Sequence, residues 1–215
     1  MKKAGLLILG AGLISLSAWA MANLNLQPTT SSESSAVGFA DWASPAVTIA
    51  DEVAGADLIV RAKVTNVNQA RKLRQVLPRY SSDAKIDGEG VNIMPFTDSE
   101  MAVLEVYKGS AEQHITVMQT GGSLPAENGD PAMNLVTYDD PLFVAGSEHI
   151  LFLADISGDP VHGQGRKLYR AINPAGRYEI RGTTVFSPSE FPAAYKPPKT
   201  VDELVSQIKQ ALARR

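Results

Sequence analysis

The chain has 215 residues, 44% hydrophobic and 20% charged, with 17 glycines, 13 prolines, no cysteine and a formal net charge of −3. This composition suits one folded domain with extended loops and excludes collagen, a coiled coil and wholesale disorder. Without cysteine there is no disulfide framework, thiolate nucleophile or Cys-ligated metal site, so an ordinary hydrophobic core must hold the fold.

Lys2 and Lys3 precede an apolar run from Ala4 to Leu16, and both Ala18-Trp19-Ala20 and Ala20-Met21-Ala22 offer small residues at signal-peptidase spacing. Residues 1–22 are expected to be a cleaved export signal, giving a periplasmic or extracellular protein. The competing reading is an uncleaved anchor, since Ala4 to Ala22 is long enough to span a bilayer. Glycines and serines dilute that run, however, and two cleavage sites follow it. No cysteine follows, which excludes a lipoprotein anchor; membrane contact is expected only through an uncleaved signal. Cleavage after Ala22 leaves 193 residues with a formal charge of −5. Backbone phosphates reward clustered Lys and Arg, so such an acidic chain is disfavoured as a nucleic-acid binder.

From Asn23 to Gly38 the residues are mostly Ser, Thr, Asn and Gln, too polar to offset the entropy of ordering them, and 23–47 is read as a flexible segment. Thr48 with Asp51 three positions on signals a short helix that Gly55 ends. Ala56 to Val67 then alternates as a first strand, with Val60, Ala62 and Val64 inward and Arg61, Lys63 and Thr65 outward. Met101–Val106 and His114–Gln119 are the second and third strands. Glu148–Ala154, the most apolar run after the signal, is expected to be a central strand covered on both sides. Lys167–Ile172 and Arg177–Arg181, split by Asn173-Pro174-Ala175-Gly176, are expected to form a hairpin, with a last short strand over 183–186. Thr200-Val201-Asp202-Glu203 is a capping box, and Val201, Leu204, Val205, Ile208, Ala211 and Leu212 recur at helical spacing over 200–213. The expected fold is mainly β, an antiparallel, OB-like β-barrel over 48–213 with a short N-terminal helix and a C-terminal amphipathic helix.

The run Ala56-Asp57-Leu58-Ile59-Val60-Arg61-Ala62-Lys63-Val64, then Glu105-Val106-Tyr107-Lys108-Gly109, Ile115-Thr116-Val117, Gly121-Gly122 and Pro141 to Leu153 resembles uncharacterised exported bacterial domains. The resemblance covers roughly residues 48 to 186 and implies an OB-type barrel similar to netrin modules and tissue inhibitors of metalloproteases. Those inhibitors reach the protease metal through an N-terminal cysteine; this chain has none, so that mechanism does not carry over. The shared motifs are structural and say little about activity.

His114, His149 and His162 lie in no metal-ligand spacing, and the bland reading of each as structural or solvated is preferred. Asp139, Asp140, Glu148, Asp155 and Asp159 would serve glycoside hydrolysis only if the fold gathered two of them, and Asp139-Asp140 before Pro141 reads as a turn. Gly-x-Ser-x-Gly, phosphate-loop and dinucleotide fingerprints are absent, so no catalytic residue, metal or cofactor is assigned. The segment that departs from its surroundings is Gln69–Tyr80, with four positive charges and no negative one. Ala70, Leu73, Val76 and Leu77 fit a helical face packed on the barrel with solvated charges, the preferred reading. Alternatively Arg71, Lys72, Arg74, Arg79 and Tyr80 form a ligand-binding loop for carboxylate, phosphate or sugar. The expected function is a non-enzymatic binding or adaptor module of the cell envelope, its ligand an anionic polymer or acidic protein. A hydrolase of envelope polysaccharide or peptide is the alternative, and a purely structural protein with an uncleaved anchor the third reading.

Overall fold

The computed structural model describes residues 48–80, 86–127, 132–137, 140–188 and 196–214, and within them all side chains but those of 75–80, 86, 87 and 89–92. The signal, the segment 23–47 and Asp139 lie outside the described residues.

Thr48 caps helix α1 (Ile49–Gly55), its hydroxyl oxygen accepting from the Asp51 amide at 3.1 Å. Lys108 Nζ donates to the Val53 and Ala56 carbonyls at the other end, where the helix dipole is negative. The strands follow as β1 (Leu58–Val67), β2 (Arg71–Tyr80), β3 (Ile86–Lys108), β4 (His114–Thr120), β5 (Gly122–Leu124), β6 (Met133–Leu135), β7 (Glu148–Asp155), β8 (Tyr169–Ala171), β9 (Arg177–Arg181) and β10 (Thr184–Phe186). Helix α2 (Val201–Ala213) closes the chain. Thr200 accepts from the Glu203 amide at 3.2 Å, while the Glu203 carboxylate reaches one residue past the cap to the Lys199 amide at 2.9 Å.

Strands β1, β3, β4, β8 and β7 close into a five-stranded barrel, with β7 returning to β1. All its pairings are antiparallel except β4 with β8, which meet in parallel at Val117 and Tyr169. A five-stranded barrel of this kind is OB-like. Along β1, Leu58, Val60, Ala62 and Val64 point into the barrel with Met101, Val117, Leu151 and Leu153. Ile59, Ile150 and Phe152 point outward, where Val53 of α1 and Leu204 and Ile208 of α2 cover them. The unbroken apolar run of β7 is thus buried on both faces.

Two expectations are corrected. Lys167–Ile172 and Arg177–Arg181 form no hairpin: β8 and β9 lie end to end along one edge of β7, Ala171 opposite Leu153 and Arg177 opposite Leu151. A 3-10 turn, Pro174–Gly176, carries the chain forward between them; Asn173 Oδ1 accepts from the Gly176 amide at 2.8 Å and the Ile172 amide keeps its bond to the Phe152 carbonyl at 3.0 Å. The true hairpin is β9 with β10. The helical face over Ala70, Leu73, Val76 and Leu77 is also absent, because residues 71–80 are strand β2, paired with Ile86–Phe96. Pro78 in a helix interior would remove a hydrogen bond and clash with the preceding turn, whereas an edge strand tolerates it. Among the described residues β2 pairs with β3 alone, and its Arg, Lys and Pro content is what an open sheet edge carries to resist pairing with another chain.

Candidate functional site

An OB-type barrel commonly presents ligands on the face of its second and third strands, between the loop that joins the first two strands and the loop before the last. Here that face is β3–β4, flanked by the β2–β3 ribbon and by residues 156–168. Arg71 is turned into it. Its Nε donates to Asp98 Oδ2 at 2.9 Å, and its Nη2 donates to the His162 carbonyl at 3.1 Å and lies 3.2 Å from Met118 Sδ. Arg166 Nη1 reaches the same Asp98 oxygen at 3.0 Å. The His162 ring meets Phe96 edge-on at 5.2 Å, and its Nδ1 lies 3.0 Å from Asp159 Oδ2. The His162 backbone amide, ahead of its ring, holds the Asp159 carboxyl down at about 2. Ribbon and loop are thereby tied across the customary ligand face, and Asp98 already occupies Arg71.

Strand alternation puts Lys72 and Arg74 on the other face of the ribbon, with Ala70. There the β5–β6 hairpin packs against it. Gly122, at φ 121°, lies so close that a Cβ would stand 2.6 Å from the Ala70 Cβ and 2.5 Å from Thr97 Oγ1, so only glycine serves. Beside this contact runs a groove. One cavity, of about 430 Å³, lies along Val67–Ala70 with Asn134, Val136 and Leu142 opposite. A second, of about 260 Å³, continues past Gln69 and Ala70 to Lys72, with Leu124, Pro125, Glu127 and Met133 on its far side. Arg74 is exposed beyond it. Of the five expected ligand-binding residues, then, Lys72 and Arg74 share this face and Arg71 is committed elsewhere. Arg79 and Tyr80 belong to β2 by their backbone, but their side chains lie outside the described residues.

The carboxylates considered for hydrolysis are dispersed. Asp140, read with Asp139 as a turn, lies at a bend and is buried there: its Oδ1 accepts from Arg177 Nη1 at 2.7 Å and from Gln119 Nε2 at 2.9 Å. Burial raises the Asp140 carboxyl, against the opposing charge and hydrogen bond of Arg177. Arg177 also lies over the Phe143 ring at 4.0 Å, and Gln119 Oε1 accepts from the Phe143 amide at 2.8 Å, so this cluster staples residues 140–143 to the barrel. Glu148 pairs with Arg61 and Asp155 with Lys167, at opposite ends of β7 and therefore roughly 23 Å apart at strand rise. His114 is exposed at the start of β4.

The nearest approach to a nucleophile and base is Ser147 Oγ with His149 Nε2 at 2.8 Å. The hydroxyl proton is engaged, however, since Ser147 Oγ also donates to the Val144 carbonyl at 2.6 Å. His149, fully buried against Phe143, is held neutral; burial first, then the Arg177 charge, drives it down to about 3. The pair locks a turn. Among the described residues no group of three His, Asp or Glu side chains is placed to hold a metal ion.

The basic run marks Arg71, Lys72 and Arg74 in the sequence, yet neither the Asp98 network nor the Gln119–Asp140–Arg177 cluster is marked by any motif. A lone Asp inside Phe96-Thr97-Asp98-Ser99, in a stretch that is otherwise strand, was the one available signal, since a charge there requires a partner. No protein-family model and no curated protein matches the chain.

Proposed function

We propose that the protein is an exported, non-enzymatic binding module of the cell envelope whose ligand is anionic and meets Lys72 and Arg74 at the basic end of the groove. The observation that carries this reading is the groove itself: two successive cavities beside the ribbon, the first in the size range of ligand sites, ending at cations in an otherwise acidic chain. A diffusing anion is repelled by the molecule as a whole and attracted where positive charge is concentrated. Export is supported by the Lys2-Lys3 start, the apolar run and the two small-residue sites. The likeness to netrin and metalloprotease-inhibitor modules agrees with a binding role without supplying a partner. Hydrolysis has the Ser147–His149 contact in its favour, and the engaged hydroxyl and buried imidazole weigh against it.

Polyaspartate titrated calorimetrically into the intact protein tests the reading. The double variant Lys72→Gln/Arg74→Gln should bind about tenfold more weakly at low salt, as two surface charge pairs, one half-buried and one exposed, of roughly 0.5 to 1 kcal/mol each imply. Equal affinity of the two forms would remove the anion site from this face.

A further inference from the structure

We propose that the groove takes a short extended peptide with aliphatic side chains and an acidic residue at the end that meets Lys72 and Arg74. This rests on the reading that the groove binds an anion, and it names the class of ligand. Among the described residues no aromatic ring lines either cavity, so a sugar ring or a base finds no flat surface to stack on. Val67, Val136 and Leu142 in the first cavity and Ile93 and Leu124 in the second give an aliphatic surface among polar residues, and Met133 adds an adaptable one.

Asn68, Gln69 and Asn134 line the first cavity; the Asn68 amide is engaged with Asn66 and Glu100 and Asn134 Oδ1 accepts from Ser123 Oγ, which leaves the Gln69 amide and Asn134 Nδ2 to meet a peptide backbone, itself both donor and acceptor. An acyl chain laid there would cover amides it cannot pair with, at a free-energy cost. The two cavities follow one another along the segment from Val67 to Lys72, which spans roughly 17 Å at strand rise. A peptide of about five or six residues fills that length, and alternate side chains, about 7 Å apart, fall into successive cavities. Glu127 stands across from Lys72, so the acidic residue is expected to lie on the Lys72 and Arg74 side of the groove.

Three probes test this by isothermal titration of the intact protein: an acetylated leucine–valine hexapeptide ending in two aspartates, the same peptide ending in two lysines, and dodecyl phosphate below its micellar concentration. The aspartate peptide should bind at least tenfold more tightly than the lysine peptide, and Lys72→Gln/Arg74→Gln should abolish the difference. Val136→Trp, at a residue 47% exposed and therefore tolerant of replacement, should narrow the apolar half and weaken both peptides while the aspartate preference persists. Tight dodecyl phosphate binding with no peptide binding overturns the peptide assignment and leaves the anion groove standing. No binding of any probe, together with unchanged polyaspartate affinity in the double variant, overturns both.

Discussion

Asp98 is 4% exposed and accepts from two arginines that are distant in sequence, 27 residues before it and 68 after it. Asp98→Ala leaves the part-buried Arg71 guanidinium without its carboxylate, and breaking one side of such a pair costs about 3 kcal/mol or more. Arg166 is half exposed, so Arg166→Gln should cost under about 1 kcal/mol. Urea unfolding of the two variants checks the contrast, and similar losses would mean that Asp98 is better solvated than the structure shows. The basic run could be read from composition because charge is a local property. Its division into Arg71 on one face and Lys72 and Arg74 on the other could not, because helix and strand distribute the same residues differently. The burial of Asp140 is not legible for a related reason: its partners, Arg177 and Gln119, are 37 and 21 residues away.

At the scale of elements, the sequence was most informative where one face is apolar and the ends carry caps. Helix α2 shows both, with Leu204 and Ile208 fully buried against Val53, Ile59 and Phe152, and Val205 only half buried. An isolated helix of this length is marginal in water, so its stability comes from that contact. Leu204→Ala should therefore cost about 2 to 5 kcal/mol in a chemical denaturation midpoint measurement. A loss under about 1 kcal/mol would mean that α2 rests loosely on the barrel. The strands of the barrel were legible from alternation, β7 from its length of uninterrupted apolar residues. Pairing was less so: alternation identifies a strand and its faces but not its neighbour, and β8 and β9 took the same edge of β7 because the 3-10 turn between them keeps the chain running forward.

Over the whole molecule, two buried groups oppose each other in acid and base. Glu52 is 2% exposed; Asn173 Nδ2 donates to its Oε1 at 3.1 Å, and its Oε2 is buried without a hydrogen-bond partner among the described residues. Burial raises its carboxyl from 4.5 to about 7. The native state therefore holds a proton that the unfolded chain has released, and stability falls as pH rises between those values, by about 3 kcal/mol in all. His149 has the opposite sign. Held at about 3 against 6.5, it stays neutral while the unfolded chain takes up a proton, so stability falls as pH drops from 6.5 towards 3. The two slopes offset one another between about 4.5 and 6.5, where stability should be greatest. In Glu52→Gln the His149 slope is left unopposed, so the plateau should give way to stability that rises from pH 4.5 to 6.5 and holds above it, with little change at pH 4. Denaturation midpoints measured at unit pH steps check this, and a variant that kept the plateau and the fall above pH 6.5 would place the responsible group elsewhere.

The acidic balance of the chain and its one basic strand give the molecule two faces on which an anion could settle. The face with Arg71 and Arg166 carries Asp98 between them; the groove that reaches Lys72, with Arg74 beyond it, lies on the other face of the ribbon. Chemical-shift mapping of the intact, isotope-labelled protein with polyaspartate discriminates between them most directly. The amides of residues 67–72, Leu124 and Met133 should move with saturation while those of 156–168 stay in place, and the shifts should shrink as salt is added. Shifts concentrated on 156–168 and Asp98, with the groove unmoved, would contradict the groove site.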